Sequence, residues 1–356
     1  DVAEAIRPGA AAADASGELR RDVYDVLRTA GITTALVPAE CGGGGVTHAQ
    51  MGKIISTLAA ADPAVGLTLS MHAHLVAAQV WRHNHGLDAS GFFAKVIDGA
   101  FLVSTGASDW LGSSGTVARV SGGYRVSGRK SPASGCEIGT IAATSFRWDA
   151  PDSAQVVHCA VPLAADGVSI ERTWDATGMR ATGSHTIVFD DVFVSEAAVA
   201  LVRPADVWHP VWSTVVGAAM PLIMAAYTGI ADAAAAHAID IVASRGGASA
   251  SLIGEMVNAH TTVTDTVAAM FAASDNLSFA NSEEHAARTL ARKTIAAEAA
   301  IETVRLAIEV VGGSAYTSGS DLARLYRDVH GSLFHPLPRA RQVELTGRVV
   351  QGLEPV

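Results

Sequence analysis

The feature that most constrains this chain is a double change of period along its length. Up to about residue 100, apolar residues recur at helical spacing. Leu19 to Ala30 forms one such run and stops at Gly31, and Ala64 to Trp81 forms another after the turn signal Asp62-Pro63. Between them, Pro38 and the four glycines Gly42 to Gly45 mark a loop, and helical text resumes at Thr47. From Phe101 to about Val194 the text becomes short β-branched runs separated by turn residues: TVARV, then Ser121-Gly122-Gly123, then YRVSG, and later QVVHCAVPL and HTIVFDDVFV. Gly122-Gly123 between two alternating runs is a hairpin signal. After Trp208 the text is helical again, over Val215 to Ser244, Leu252 to Ala273 and Glu283 to Val311, with shorter helices over Asp321 to Gly331 and Pro338 to Gly352. The expected fold class is α+β, mostly α: helices over 1–100, a β domain over 101–200, and a four-helix bundle over 201–356 that buries the apolar stripes against one another.

Composition narrows the function classes. The chain has 356 residues, 49% of them apolar, which allows a large core. Only 17% are charged, consistent with surface covered by other subunits and with a high alanine content. The net charge of −10 gives no basic field, so a nucleic-acid partner is not expected. Cys41, Cys136 and Cys159 are scattered, odd in number and without CxxC spacing; neither disulfides nor a metal site are expected, and the thiols suit a reducing compartment. The longest apolar run, Val215 to Ala236, contains Pro221, Gly229 and Asp232 and reads as a core helix, not a membrane span. The first residues lack the basic start and apolar stretch of a secretory signal, and a cytoplasmic location is expected.

Five stretches, in order, resemble the acyl-CoA dehydrogenase superfamily. Leu36 to Glu40 with Gly42 to Gly45 resembles its Val-Pro-Glu-x-x-Gly-Gly-x-Gly loop. Phe101 to Asp109 resembles the strand and loop that open its β domain, and Gly123 to Gly135 its Gly-x-Lys-x-Trp-Ile-Thr strand. Thr177 to Val194 resembles its Leu-Gly-x-Arg-x-Ser … Phe-x-x-Val-x-Val segment. Val311-Gly312-Gly313 and Tyr326-Arg327-Asp328 resemble its C-terminal bundle. The resemblance implies a β-barrel-like middle domain, a flavin in the crevice between that domain and the bundle, a small-molecule substrate such as an acyl-CoA, and assembly as a homodimer or homotetramer.

The same resemblance assigns candidate cofactor-binding residues. Ser104 would hydrogen-bond the pyrimidine edge of the flavin, Ser108 a phosphate, and Ser134 stands where a threonine hydroxyl approaches N5. Serines in glycine-rich loops also cap turns. Arg245 matches an arginine that meets cofactor phosphates across a dimer, although a helix-terminal charge has the same sequence appearance. Gly312 and Gly313 would let the backbone approach the cofactor closely, or would simply end a helix. Three departures stand out. Pro132 replaces a tryptophan near the flavin, which implies a roomier pocket. On the adenine side a phenylalanine is replaced by Ala248 and a glutamine by Glu309, so FAD is the expected cofactor and FMN the second choice.

The base is also missing. Acyl-CoA oxidation needs a base within reach of the α-proton, for which the family uses a glutamate. The two positions the family uses for it are Pro336, eight residues after Asp328, and about Ala219 on the first bundle helix. His335 beside Pro336 is the candidate catalytic residue, with His330 in the same region and His72 and His74 possible neighbours from the N-terminal side. Three readings follow. The leading one is a flavin-dependent, acyl-CoA dehydrogenase-like oxidoreductase acting on the CH–CH bond of an acyl thioester. The second is a two-component flavin monooxygenase using reduced flavin and O₂, which has no need of the glutamate. The third is a non-catalytic scaffold of the same fold.

Overall fold

The computed structural model describes residues 2–105 and 109–356. Six helices open the chain: α1 (Val2–Ile6), α2 (Ala10–Ser16), α3 (Arg21–Thr29), α4 (His48–Ala61), α5 (Pro63–Asn84) and α6 (Ser90–Ile97). Local chemistry fixes the two long ones. Thr47 and Gln50 form a reciprocal capping box at the start of α4. The Asp62 carboxylate accepts from the Ala64 and Val65 amides, with Pro63 at the first helical position of α5.

The middle of the chain forms two four-stranded sheets. One has the order β1 (Leu102–Ser104), β4 (Ile141–Asp149), β5 (Ala154–Pro162), β8 (Val199–Pro204); the other has β2 (Thr116–Val120), β3 (Gly123–Lys130), β7 (Thr186–Ser195), β6 (Val168–Glu171). β1 pairs in parallel with β4, and every other pairing is antiparallel. The expected β2–β3 hairpin is present. Val120 faces Gly123 across Ser121 and Gly122, and Gly122 takes a φ of +77°. Inward residues of both sheets share one core, in which Phe146 meets Phe189 edge-on at 5.2 Å.

The remaining helices are α7 (Val211–Arg245), α8 (Ala250–Ser274), α9 (Glu283–Val311), α10 (Asp321–Val329) and α11 (Arg339–Val350). α7 is long and apolar enough to cross a membrane by length and composition, but 94% of its most apolar window is buried inside the fold. It packs on α8 and α9 on one side and on α4 and α5 on the other. Gly229 permits the α4 approach: a Cβ there would lie 2.1 Å from the Ser56 carbonyl oxygen. α7 is therefore the spine shared by the N-terminal helices and the bundle. At its start Trp212 stacks on Trp110 and meets His158 of β5 edge-on, and Trp212, Val216, Ala219, Ile223 and Tyr227 recur along one stripe of the helix at three- and four-residue spacing.

Candidate active site

Ser104 ends β1 and is half-buried, with no side-chain hydrogen bond among the described residues. β1 is pinned from behind by His72. The Leu102 amide donates to its Nδ1 at 3.0 Å, which leaves the proton on Nε2 to be donated to the Thr33 carbonyl at 2.8 Å. Its ring stacks on Phe101, and burial pushes its pKa down to about 4. With both nitrogens committed to backbone groups, His72 is a structural residue. Ser108 lies outside the described residues, but the segment that follows it is anchored. Lys130 at the end of β3 is buried, and its ammonium lies 2.6 Å from Asp109 Oδ2 and 2.9 Å from the Ser114 carbonyl.

Ser134 sits in the loop between β3 and β4, beside the exposed Pro132. The loop is held in place by two backbone bonds, Ala133 N–H to the His185 carbonyl at 3.1 Å and Gly135 N–H to the Thr182 carbonyl at 2.9 Å. Ser134 Oγ contacts Ser184 Oγ at 2.8 Å, Ser184 Oγ contacts Thr182 Oγ1 at 2.7 Å, and Thr182 Oγ1 donates to the Met179 carbonyl at 2.8 Å. The Met179 amide in turn donates to Asp328 Oδ1 at 2.6 Å, which ties this segment to α10. Arg327, next to Asp328, donates to the Thr177 carbonyl and pairs with Asp14.

Arg245, Gly312 and Gly313 meet at one corner. The exposed Arg245 guanidinium donates to the Val311 carbonyl at 3.0 Å and to Ser314 Oγ at 3.0 Å. Gly312 ends α9 with a φ of +83°, and a Cβ added at either glycine would meet no atom within 4 Å. Arg245 thus joins the C-terminal ends of α7 and α9 while its outer face stays open. Glu309 is paired with Arg305 on its own helix.

His335 is brought to α7. Its Nε2 lies 2.8 Å from the Tyr227 hydroxyl, eight residues along the helix from Ala219. Its imidazole is held well below the ordinary histidine range by burial, with Lys293 and His74 opposing protonation further. His74 is buried on α5, its Nδ1 3.2 Å from the Ser70 carbonyl. His330 is instead occupied on its own helix, with Nδ1 on the Tyr326 carbonyl. Tyr227 and Lys293 belong to none of the motifs in the sequence. Lys293 is 1% exposed, has no carboxylate partner among the described residues, and reaches only the Leu337 carbonyl at 3.4 Å. Desolvation lowers its pKa to about 8. The Asp328 carboxylate, with burial, opposes ionisation of Tyr227, and burial pushes the Asp328 carboxyl itself up to about 7.

This donor set fits a flavin. Neutral hydroxyls at Ser104 and Ser134 suit the ring edge, and a guanidinium beside two uncrowded glycines suits phosphate oxygens. The His335–Tyr227 pair offers an imidazole and a phenol with which to move a proton, and neither Ala219 nor Pro336 supplies a carboxylate.

The chain is similar to known proteins over nearly its whole length. The chain is 29% identical over 362 residues to the amino sugar nitrososynthase DnmZ of Streptomyces peucetius, spanning 95% of this chain and 88% of that protein. It is 29% identical over 381 residues to the L-evernosamine nitrososynthase of a Micromonospora species, spanning 97% and 87%. The solved structure of KijD3 with FMN and dTDP-3-amino-2,3,6-trideoxy-4-keto-3-methyl-D-glucose superposes with a TM-score of 0.88 at 26% identity, covering 99% of this chain and 92% of that one. Residues 2–86, 104–192 and 222–337 match the N-terminal, middle and C-terminal domains of acyl-CoA dehydrogenase. The chain therefore belongs to the acyl-CoA dehydrogenase family and is a flavin-dependent oxidoreductase.

Proposed function

We propose that this protein is the oxygenase component of a two-component flavin monooxygenase, and that it oxidises the amine nitrogen of a small polar substrate of the amino-sugar class. The observation that carries this reading is the pair His335–Tyr227 standing where the family's carboxylate base is lost, with Ala219 and Pro336 at the two usual positions. An acyl thioester demands removal of an α-proton by a base strong enough to be useful and close enough to reach it. An amine demands no such step: its lone pair is the nucleophile, and the site needs only an acceptor for the proton released. His335, hydrogen-bonded to the Tyr227 hydroxyl, is the group placed to pass that proton on. The nitrososynthases among the relatives support the same substrate chemistry.

The flavin, when bound and reduced, supplies the electrons that activate O₂. A primary amine, O₂ and reduced flavin give hydroxylamine, water and oxidised flavin; a second round on the hydroxylamine gives the nitroso compound and two waters. Ser104 and Ser134 would orient the ring, and Arg245 with Gly312 and Gly313 would meet the phosphates. FAD is the flavin proposed and FMN the competing one, because KijD3 was solved with FMN and because Ala248 and Glu309 depart from the family's adenine contacts. We assign the assembly as a homodimer or homotetramer, consistent with exposed Val257, Ile295 and Val343 on the bundle.

The test uses two assays on one preparation. With a flavin reductase, NADH and O₂, a TDP-linked 3-amino sugar should give hydroxylamine or nitroso product by mass spectrometry. Anaerobic titration of the flavin-loaded protein with acyl-CoAs should leave the flavin absorbance unchanged. Bleaching by an acyl-CoA, with no product from the amine, would restore the thioester dehydrogenase reading.

A further inference from the structure

Three hydroxyls lead inward from Ser134 to a single backbone carbonyl, and their geometry leaves one way to place their protons. Thr182 Oγ1 is 2.8 Å from the Met179 carbonyl, a group that can only accept, so the threonine proton points there. Ser184 Oγ, 2.7 Å from Thr182 Oγ1, must then donate to it, and Ser134 Oγ, 2.8 Å from Ser184 Oγ, must donate to Ser184. Any other arrangement leaves one of three short oxygen–oxygen contacts without a proton between its partners. Thr182 and Ser184 are 0% and 2% exposed, so water does not compete for either. Only Ser134 is partly open, and its proton is already spent inward.

We propose that Ser134, Ser184 and Thr182 form a one-way relay that presents Ser134 to the crevice as a hydrogen-bond acceptor, and so selects the reduced form of the flavin over the oxidised form. The inference rests on the flavin reading of the crevice given above. A reduced isoalloxazine carries N–H at N5, whereas the oxidised ring offers a lone pair there. An acceptor hydroxyl pairs with the first and opposes the second. Ser184 and Thr182 are thus positioning residues that act through Ser134. A chain that takes up reduced flavin and releases oxidised flavin is what an oxygenase fed by a separate reductase requires.

The experiment measures flavin affinity in both redox states, independent of turnover. Binding of FMN and of FAD, each oxidised or dithionite-reduced, is followed anaerobically by calorimetry for wild type and the variants S134A, S184A, T182V and T182S. Wild type should hold reduced flavin about tenfold or more tightly than oxidised flavin, the scale of one well-made hydrogen bond exchanged for a repulsive contact. Thr182→Val and Ser184→Ala free the Ser134 proton to point outward, so the ratio should collapse toward unity; Thr182→Ser keeps the acceptor and should keep the ratio. Ser134→Ala should lose the preference by removing the acceptor itself. Equal affinities in wild type, tighter binding of oxidised flavin, or an unchanged ratio in both Thr182→Val and Ser184→Ala would overturn the relay. If neither flavin binds in either state, the flavin reading of the crevice falls and the relay with it. If the ratios behave as expected but no amine is oxidised, the relay stands and the substrate assignment fails.

Discussion

Replacing Lys130 by methionine removes a cation from the interior while keeping most of the side chain's volume. The Lys130 and Asp109 side chains are 1% and 10% exposed, and the ammonium lies 2.6 Å from the carboxylate. Ser113 Oγ, the Ser114 carbonyl and Ser114 Oγ complete its shell at 3.0, 2.9 and 2.9 Å. In the variant, Asp109 keeps, among the described residues, hydrogen bonds from the Ser114 amide at 3.3 Å and the Ser113 hydroxyl at 3.1 Å, with the Arg203 guanidinium as the remaining nearby cation. Breaking such a pair from one side costs about 3–5 kcal/mol, because the partner charge is left uncompensated. The double variant K130M/D109N removes the stranded carboxylate but takes the favourable Asp109 charge away from the buried Arg203 guanidinium, and should regain part of that loss. By contrast Arg119→Met, which opens the exposed pair with Glu196, should cost under about 1 kcal/mol. Urea unfolding followed by tryptophan fluorescence reads all three, since Trp110 adjoins Asp109. Flavin binding should weaken in Lys130→Met as well, because Asp109 anchors the segment after Ser108. A loss under about 1 kcal/mol in Lys130→Met, or a double variant no better than the single, would refute this view of the pair.

Other consequences can be measured directly. His335→Gln should lower turnover of the amine about a hundredfold or more, and Tyr227→Phe about tenfold, while flavin affinity stays near wild type; steady-state kinetics and flavin titration separate the two effects. Asp328 sets a pH dependence. Its folded pKa of about 7 lies above the ordinary 3.8, so its contribution to stability is fully present below about pH 4 and is lost as pH rises through 7. Thermal melts from pH 4 to 8 should therefore show a downward slope in wild type relative to Asp328→Asn, which accepts the Met179 amide without titrating. Gly331→Ala places a Cβ 2.7 Å from the Tyr227 hydroxyl and should disturb the Tyr227–His335 bond, lowering turnover and the melting temperature together.

Much of the architecture was legible because it is written in local patterns. The span Glu283 to Val311 emerges unchanged as α9, and Val215 to Ser244 extends by only a few residues to Val211–Arg245. Thr47 and Asp62-Pro63 marked true helix starts, since capping is a contact between neighbours in sequence. The hairpin turn was placed one residue late: Gly123 is already paired, and Ser121-Gly122 makes the turn. Ser104 and Ser134 could be proposed from flanking motifs, but the relay behind Ser134 could not. Ser184 is fifty residues away from it, and only the pairing of β3 with β7 brings the adjoining loops together. Tyr227 was hidden in an apolar stripe that reads as core. Lys293 was hidden beside Arg288 and Arg292, a run that resembles a solvated face. Yet Ala286, Leu290, Lys293, Ala297 and Ala300 follow the inward three-and-four spacing of α9, all five are buried, and that period was the signal available for it. His72 matched a site residue by type alone; its two backbone partners come from distant segments that no local pattern connects.

The central claim, that this fold oxygenates an amine instead of dehydrogenating a thioester, is tested most directly by isotope. Turnover of a TDP-linked 3-amino sugar under ¹⁸O₂, with reductase and NADH present, should place one ¹⁸O on the nitrogen of the product. Product oxygen drawn from water, or no nitrogen oxidation beside steady formation of enoyl-CoA from an acyl-CoA, would contradict it.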